Sequence, residues 1–308
     1  MITPTVTVVG STNIDLITYA ERIPDAGETL VGDRFQMGFG GKGANQAVMA
    51  RLLGATVQMV NCVGDDEYGR MTLENFRAYG VDTTHVRTVP GSSGVAPIWV
   101  EPDGSNRILI VPGANHDMTP GQATEAISEG PAPDVIVGQF EIPQPVTAAG
   151  FAAGRERGAT TILNPAPASL IDPALLATVD WLIPNEVEFA ALTGGSGPAD
   201  DDALRQVADR LGVRLLVTLG DQGAALVGSA GDVIHFAAPR VRTVDTTGAG
   251  DAFVGAFAFG LAAGWTEMQA ARLGIAIASD SVTRIGTQTS FPPPGRCTAL
   301  VADVTYVS

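Results

Sequence analysis

Residues 245–251 read Asp-Thr-Thr-Gly-Ala-Gly-Asp and run straight into Ala-Phe-Val-Gly-Ala-Phe-Ala-Phe-Gly-Leu at 252–261. The period predicts a helix over 252–263. Its apolar fill on every side marks it as a core helix that other layers must cover, and it is too short for the ~20 apolar residues of a membrane span. The glycines ahead of it leave backbone N–H groups bare at the helix start, where unpaired donors and the positive end of the macrodipole favour an anion. Asp251 conflicts with a bound anion unless the two share a reacting proton or a cation. A base beside an anion hole is what phosphoryl transfer to a hydroxyl requires. In that reading Asp251 takes the proton while the N–H groups of Gly248, Ala249 and Gly250 steady the moving charge. The structural alternative is a glycine turn capped by an aspartate.

Outward from this helix, short apolar runs at 6–9, 56–60, 134–137, 160–163, 181–183 and 215–218 alternate with helix-period segments at 44–53, 68–78, 146–157 and 203–211. A second close helix is expected over 267–283. This alternation predicts βα units around a mostly parallel sheet, a three-layer α/β fold. Two stretches break the rhythm. Residues 13–19 follow the first strand without a helix, and 95–100 pairs naturally with 107–111 across Asp103-Gly104. Segments of about 12–38 and 92–112 are therefore expected to form a small β-sheet lid. No linker divides the chain, so 1–308 is read as a single domain.

The net charge is −15, from 33 acidic and 18 basic residues, so the polyanionic backbone of nucleic acid is repelled and excluded as a partner. Residues 1–5 carry no basic region leading into an apolar stretch, and no run suits a membrane. Cys62 and Cys297 form no metal-type spacing and fit a reducing cytoplasm.

Lys42 is the only lysine among the 18 basic residues, and it falls in a second glycine cluster, Gly-Phe-Gly-Gly-Lys-Gly-Ala-Asn at 38–45. Gly38-x-Gly40-x-x-Gly43 has the form of a dinucleotide-binding loop, but that fingerprint should follow the first strand directly, whereas here the strand ending at Val9 lies far upstream. A phosphate-binding Walker loop fails because Gly43, not Ser or Thr, follows the lysine. The cluster reads better as a tight loop closing on a small polyhydroxylated ligand. Asn13 and Asp15 are two apart on an extended segment, so both point to one face and can hold vicinal hydroxyls; a solvated strand edge is the alternative. Asn185 to Glu188 follow a strand end, where a carboxylate can order the waters of Mg²⁺ or merely favour a helix N-terminus. The glycines of 218–223 permit close approach of a nucleotide.

Gly-Ser-Thr-Asn-Ile-Asp at 10–15, Gly-Gly-Lys-Gly-Ala-Asn at 40–45, Pro-Asn-Glu at 184–186 and Asp-Thr-Thr-Gly-Ala-Gly-Asp at 245–251 together resemble the ribokinase (PfkB-type carbohydrate kinase) family, in order and spacing over essentially the whole chain. Pro-Gly-Ala-Asn at 112–115, Gln-Phe-Glu at 139–141 and Leu-Asn-Pro-Ala-Pro-Ala at 163–168 place it near the ribokinase branch. The resemblance implies Asp251 as catalytic base and the 248–250 backbone as anion hole. It implies sugar binding by Asn13, Asp15, Gly41, Lys42, Asn45 and Glu141, and handling of ATP and Mg²⁺ by Asn185, Glu188, Thr218, Gly220 and Gly223. It also implies K⁺ beside the anion hole, at Asp245, Thr247, Ser281, Arg284, Gly286 and Ser290. A homodimer through the β lid and ATP-dependent phosphorylation of D-ribose at its 5-hydroxyl follow as expectations. The rivals are another acceptor (deoxyribose, fructose, a nucleoside, a sugar phosphate), a non-catalytic sensor on the same fold, and a dehydrogenase. Pro97 cannot donate to a sheet ladder, so altered pairing is expected at that position.

Overall fold

The computed structural model describes residues 3–306 apart from 104, 196, 199, 229 and 230. The chain begins with β1 (Thr5–Val9), β2 (Asn13–Tyr19), β3 (Arg34–Gly40), α1 (Lys42–Leu52), β4 (Thr56–Gly64), α2 (Glu67–Tyr79) and β5 (Asp82–Val89). It continues through β6 (Val95–Val100), β7 (Asn106–Ile108), α3 (Pro120–Glu129), β8 (Val135–Gly138), α4 (Gln144–Glu156) and β9 (Thr160–Leu163). Then come α5 (Pro173–Leu176), β10 (Trp181–Leu182), α6 (Glu186–Leu192), α7 (Asp201–Leu211), β11 (Arg214–Thr218), β12 (Ala224–Val227) and β13 (Val233–Phe236). Three helices close the chain: α8 (Ala249–Ala262), α9 (Glu267–Ser281) and α10 (Pro294–Tyr306).

Among the described residues, nine strands form one sheet in the order β13-β12-β11-β10-β9-β8-β1-β4-β5, parallel from β11 to β5 and antiparallel at the β12 and β13 edge. Strand alternation divides the apolar residues between two cores. Val6, Val8, Val135 and Val137 face α1, α2, α8, α9 and α10; Val9 and Ile136 face α3, α4, α6 and α7. The expected three layers follow from strands apolar on both faces. α8 lies against α1, α9 and the strands β1 and β8. Its side chains from Asp251 to Gly260 are buried, which explains an apolar pattern with no solvent face.

From β1 the chain builds outward to β4 and β5, then returns to β8 and builds the other way. The order reverses between β1 and β8, and the crevice beyond the carboxyl ends of strands at such a reversal is where open α/β sheets bind ligands. Residues 10–12, 139–141, 164, 184–185 and 218 all leave strands at this end.

The remaining four strands form a second sheet, β3-β2-β6-β7. Asn13, Asp15 and Ile17 share a face with their partners Gly40, Gly38 and Gln36 on β3. The opposite face carries Leu16, Phe35, Met37 and Pro97, with Phe35 and Met37 exposed. The strand expected over 107–111 is corrected: β7 spans Asn106–Ile108 and pairing returns only at the Val95–Val111 bridge. Pro97 is the reason. Its carbonyl accepts from Leu109 N at 3.0 Å, so its missing N–H faces the same neighbour and breaks the ladder there, while its register with Leu16 of β2 is kept. Gly104 of the expected turn lies outside the described residues.

Candidate active site

Gly248 precedes α8 at φ 75°, left-handed backbone that suits glycine, and a Cβ there would stand 2.7 Å from Thr287 Cγ2. This turn brings residues 286–289 against the helix start. The expected anion hole is modified by the structure: Ala249 N–H donates to Thr246 O at 3.2 Å, whereas the N–H groups of Gly248 and Gly250 have no acceptor among the described residues. Gly250 is exposed, so at least its donor is open to a ligand at the positive helix end.

One residue on, Asp251 is buried and gripped from two sides. Asn45 Nδ2 donates to Oδ2 at 2.8 Å and Gln46 Nε2 to Oδ1 at 3.0 Å. Each amide is held in turn. Gln288 Nε2 donates to Asn45 Oδ1 at 3.1 Å, and Asn75 Nδ2 to Gln288 Oε1 at 2.9 Å. On the other side, Gln139 Nε2 donates to Gln46 Oε1 at 2.6 Å and Gln46 Nε2 also reaches Asn164 Oδ1 at 3.2 Å. Asn164 is oriented by its own donation to the Ile183 carbonyl at 2.9 Å. A backbone acceptor admits only one amide orientation, so the direction of the chain is fixed up to Gln46.

The proposed sugar ligands converge from three elements. Asn13 and Asp15 come from β2, Gly41 to Asn45 from the start of α1, and Glu141 from beyond β8. Gly41 has φ 86°, and a Cβ on it would lie 2.6 Å from Asn13 N, so only glycine lets the loop lie against β2. Glu141 Oε2 accepts from Ser11 Oγ at 2.6 Å and from Lys42 N at 2.9 Å, tying the loop to the strand end. Burial pushes Asp15 up to about 7, against a hydrogen bond from Thr287 Oγ1 at 3.3 Å and with Glu141 and Asp251 adding to the rise. Burial opposes the charge on Lys42, but Asp251, Glu141 and Glu188 outweigh it and hold its ammonium above the ordinary lysine value.

Toward β10 and β11, Lys42, Asn164, Asn185, Glu188, Thr218, Gly248, Gly250 and Asp251 line a cavity of about 170 Å³. A larger cavity of about 340 Å³ adjoins it, sharing Asn185, Thr218 and Gly250 and adding Gly220, Gly223, Ala238, Phe253, Ile275 and Ala278. All five nucleotide-side residues expected from the sequence line one or both. Asn185 and Glu188 form a reciprocal capping box at α6, with Glu188 N donating to Asn185 Oδ1 at 2.8 Å and Asn185 N to Glu188 Oε2 at 2.8 Å. The helix-start reading is thus realised, yet Glu188 also faces the cavity. Burial raises its carboxyl above the ordinary value, against the Asn185 bond and the pull of Lys42.

The residues expected around K⁺ lie on the loop before α8 and on the segment after α9, with Ser281 as the last residue of α9, its hydroxyl donating to Ala278 O at 2.8 Å. Asp245 Oδ1 accepts from Thr247 N and Oγ1, and Oδ2 from Gly286 N at 2.9 Å. Val282 O accepts from Val244 N and Asp245 N. Arg284 Nε donates to Ser290 O at 2.8 Å while its guanidinium pairs with Asp280, and Ser290 Oγ donates to Thr287 O. Oxygen donors from carboxylate, carbonyl and hydroxyl groups fit a hard cation. With its hydrogen given to Thr287 O, the Ser290 hydroxyl has only its oxygen lone pairs to offer.

Sequence reading did not single out Gln46, Asn164, Gln288, Asn115, Ser11 or Thr287. Asn115 and Asn164 sit inside the quoted stretches 112–115 and 163–168, and Gln46 directly follows the stretch 40–45, which was the available signal. Their roles depend on contacts from residues far apart in the chain.

The profile of pfkB family carbohydrate kinases matches residues 3–294. The chain is 39% identical over 292 residues to a deoxyribokinase of Salmonella typhi, covering 93% of this chain and 95% of that protein. It is 39% identical over 286 residues to a ribokinase of Bacillus subtilis, covering 92% and 95%. The structure of Arabidopsis thaliana ribokinase complexed with ribose and ATP superposes with a TM-score of 0.87 at 32% identity, over 97% of this chain and 99% of that one.

Proposed function

The chain belongs to the pfkB family of carbohydrate kinases, and from that premise we propose that it transfers the γ-phosphoryl group of ATP to the primary 5-hydroxyl of D-ribose, giving ribose 5-phosphate and ADP. The observation that carries this reading is Asp251: buried at the N-terminus of α8, fixed by Asn45 and Gln46, and beside the open N–H of Gly250. The ribose hydroxyl loses its proton to Asp251 as its oxygen forms a bond to the γ-phosphorus in line, and the bond from that phosphorus to the bridging oxygen of ADP breaks. The Gly248 and Gly250 donors and Lys42 spread the charge of the moving group. Asn13, Asp15, Gly41, Lys42, Asn45 and Glu141 hold the sugar; Asn185, Thr218, Gly220 and Gly223 take the nucleotide.

Mg²⁺ would be held through water by Glu188 and Asn185, and K⁺ by Asp245, Thr247, Ser281, Arg284, Gly286 and Ser290; both would supply positive charge to offset that of the phosphates. The small sheet acts as a lid on a single domain and excludes water as a competing nucleophile. Its exposed face with Phe35 and Met37 pairs with a second copy, and the enzyme works in the cytoplasm. Similarity to a deoxyribokinase favours deoxyribose as a second reading. The polar Asn13 favours ribose, because a buried amide facing a deoxy carbon loses its partner.

ADP release with ATP, Mg²⁺ and K⁺, measured across ribose, 2-deoxyribose, fructose, adenosine and fructose 6-phosphate, tests the reading. Ribose is expected to lead, and Asp251→Ala to reduce turnover by at least about a thousandfold. Turnover of another acceptor alone would move the substrate, and silence across the panel from folded protein would overturn the catalytic reading.

A further inference from the structure

We infer that Asn115, a residue with no hydrogen-bonding capacity left for a substrate, sets the choice between ribose and 2-deoxyribose by fixing which end of the Asn13 amide faces the sugar. This rests on the proposed sugar-kinase reading of the site.

Asn115 is buried just beyond the β6–β7 region, in a 3₁₀ turn at Gly113–Asp117. Its Oδ1 accepts from Thr12 N at 2.9 Å, and its Nδ2 donates to Thr12 O at 2.9 Å. A backbone N–H can only donate and a carbonyl can only accept, so this pair determines the Asn115 orientation without reference to any other side chain. The second lone pair of Oδ1 takes Asn61 Nδ2 at 3.1 Å, and Asn61 is anchored by donating to Gly10 O at 2.6 Å. The remaining Asn115 hydrogen goes to Asn13 Oδ1 at 3.0 Å. Two donors and two lone pairs are thereby all engaged.

The consequence falls on Asn13. Its oxygen is occupied, so its Nδ2 is the end left over, and that group makes no hydrogen bond to a described residue. The link is tightly enclosed: a Cβ on Gly94 would stand 2.2 Å from Asn115 Nδ2 and 2.4 Å from Asn13 Oδ1. Asn13 is buried and lies on the β2 face that also carries Asp15. It therefore offers a donor with a fixed direction and cannot turn its oxygen inward. A hydroxyl oxygen satisfies that donor, whereas a methylene leaves it unpaired in a buried site, which discriminates strongly between sugars differing by one hydroxyl.

The test measures kcat/KM for ribose and for 2-deoxyribose in the wild type, Asn115→Asp, Asn13→Ala and the double variant, with melting curves to show that each folds. Asn115→Asp keeps the acceptor for Thr12 N but loses both donors, so Asn13 is released to turn its amide. The ribose to deoxyribose ratio is expected to fall about tenfold or more, chiefly through a higher KM for ribose. In the double variant the ratio should match that of Asn13→Ala, because Asn115 acts through Asn13. A parallel loss on both sugars, or additive effects on the ratio, overturns the inference while leaving the ribokinase reading intact. Ser93→Ala, which alters another buried contact beside the small sheet, should lower stability without moving the ratio; a change as large as that of Asn115→Asp would also overturn it. A wild type that turns over neither sugar overturns the substrate reading and this inference with it, and one that turns over both equally overturns the inference alone.

Discussion

On one side of Asp251 the pocket is made of buried side-chain amides and carboxylates whose orientations are passed from neighbour to neighbour until they reach a backbone group: Asn164 to Ile183 O, Asn115 to Thr12. On the other side, the larger cavity is walled mainly by Gly220, Gly223, Ala238, Phe253, Ile275 and Ala278, with Asn185, Glu186, Thr218 and Ser279 as its polar side chains. The first surface can tell one hydroxyl from none, because an unmatched buried polar group costs about 1–3 kcal/mol. The second reads shape and burial, where a methylene is worth about 0.8 kcal/mol. On the proposed function, the acceptor side is the selective one and the nucleotide side the tolerant one.

The sharpest way to break the comparison is Gln46→Met, which keeps the volume and removes the donor to Asp251 Oδ1. If orientation of the base is what the amide chain supplies, kcat should fall about a hundredfold with sugar KM within a fewfold, as measured by steady-state ADP release. A change of KM alone would mean that Gln46 serves only sugar binding. Melting temperature should also drop, since Gln139 Nε2 and Asn164 Oδ1 lose their partner.

Asp15→Asn is expected to come next, lowering kcat/KM for the sugar about tenfold at pH 8 through loss of a charged acceptor. In the wild type, kcat/KM should rise as pH passes through about 7, where Asp15 ionises; in the variant that rise should be absent. Stability runs the other way. The native state keeps the Asp15 proton that the unfolded chain releases near 3.8, so without ligand the wild type binds more protons when folded and loses stability as pH rises from about 4 to about 7. Melting temperatures across that range should fall less steeply for Asp15→Asn. Equal slopes would remove Asp15 as their source.

The smallest effect belongs to the tolerant side. Ala278→Leu adds bulk to the larger cavity and should raise the KM for ATP about threefold to fivefold, leaving the ribose to deoxyribose ratio unchanged. A shift in that ratio would join the two regions that the comparison separates.

Much of the main sheet was legible because its strands are apolar on both faces and its helices carry their own stops: α2 closes at Gly80, left-handed at φ 74°, and α7 at Gly212. β5, Asp-Thr-Thr-His-Val-Arg-Thr-Val, escaped notice since it is an edge strand with little apolar signal. The antiparallel β12 and β13 and the helices α3 and α10 also went unpredicted. At the site, glycine clusters and lone polar residues after strands pointed to Asp251, Lys42 and Asn13.

By itself the sequence determined that a buried helix begins at a glycine turn carrying an aspartate, and that a parallel sheet must cover it, because period and apolar fill are local properties. Tertiary structure alone decided that Asn45 and Gln46 would close on Asp251, more than two hundred residues away. It also decided that Pro97 would interrupt only one of its two strand pairings, and that Asn115 would occupy the oxygen of the Asn13 amide. Each of these is an orientation, and an amide has no preferred direction until a fixed donor or acceptor elsewhere in the fold gives it one.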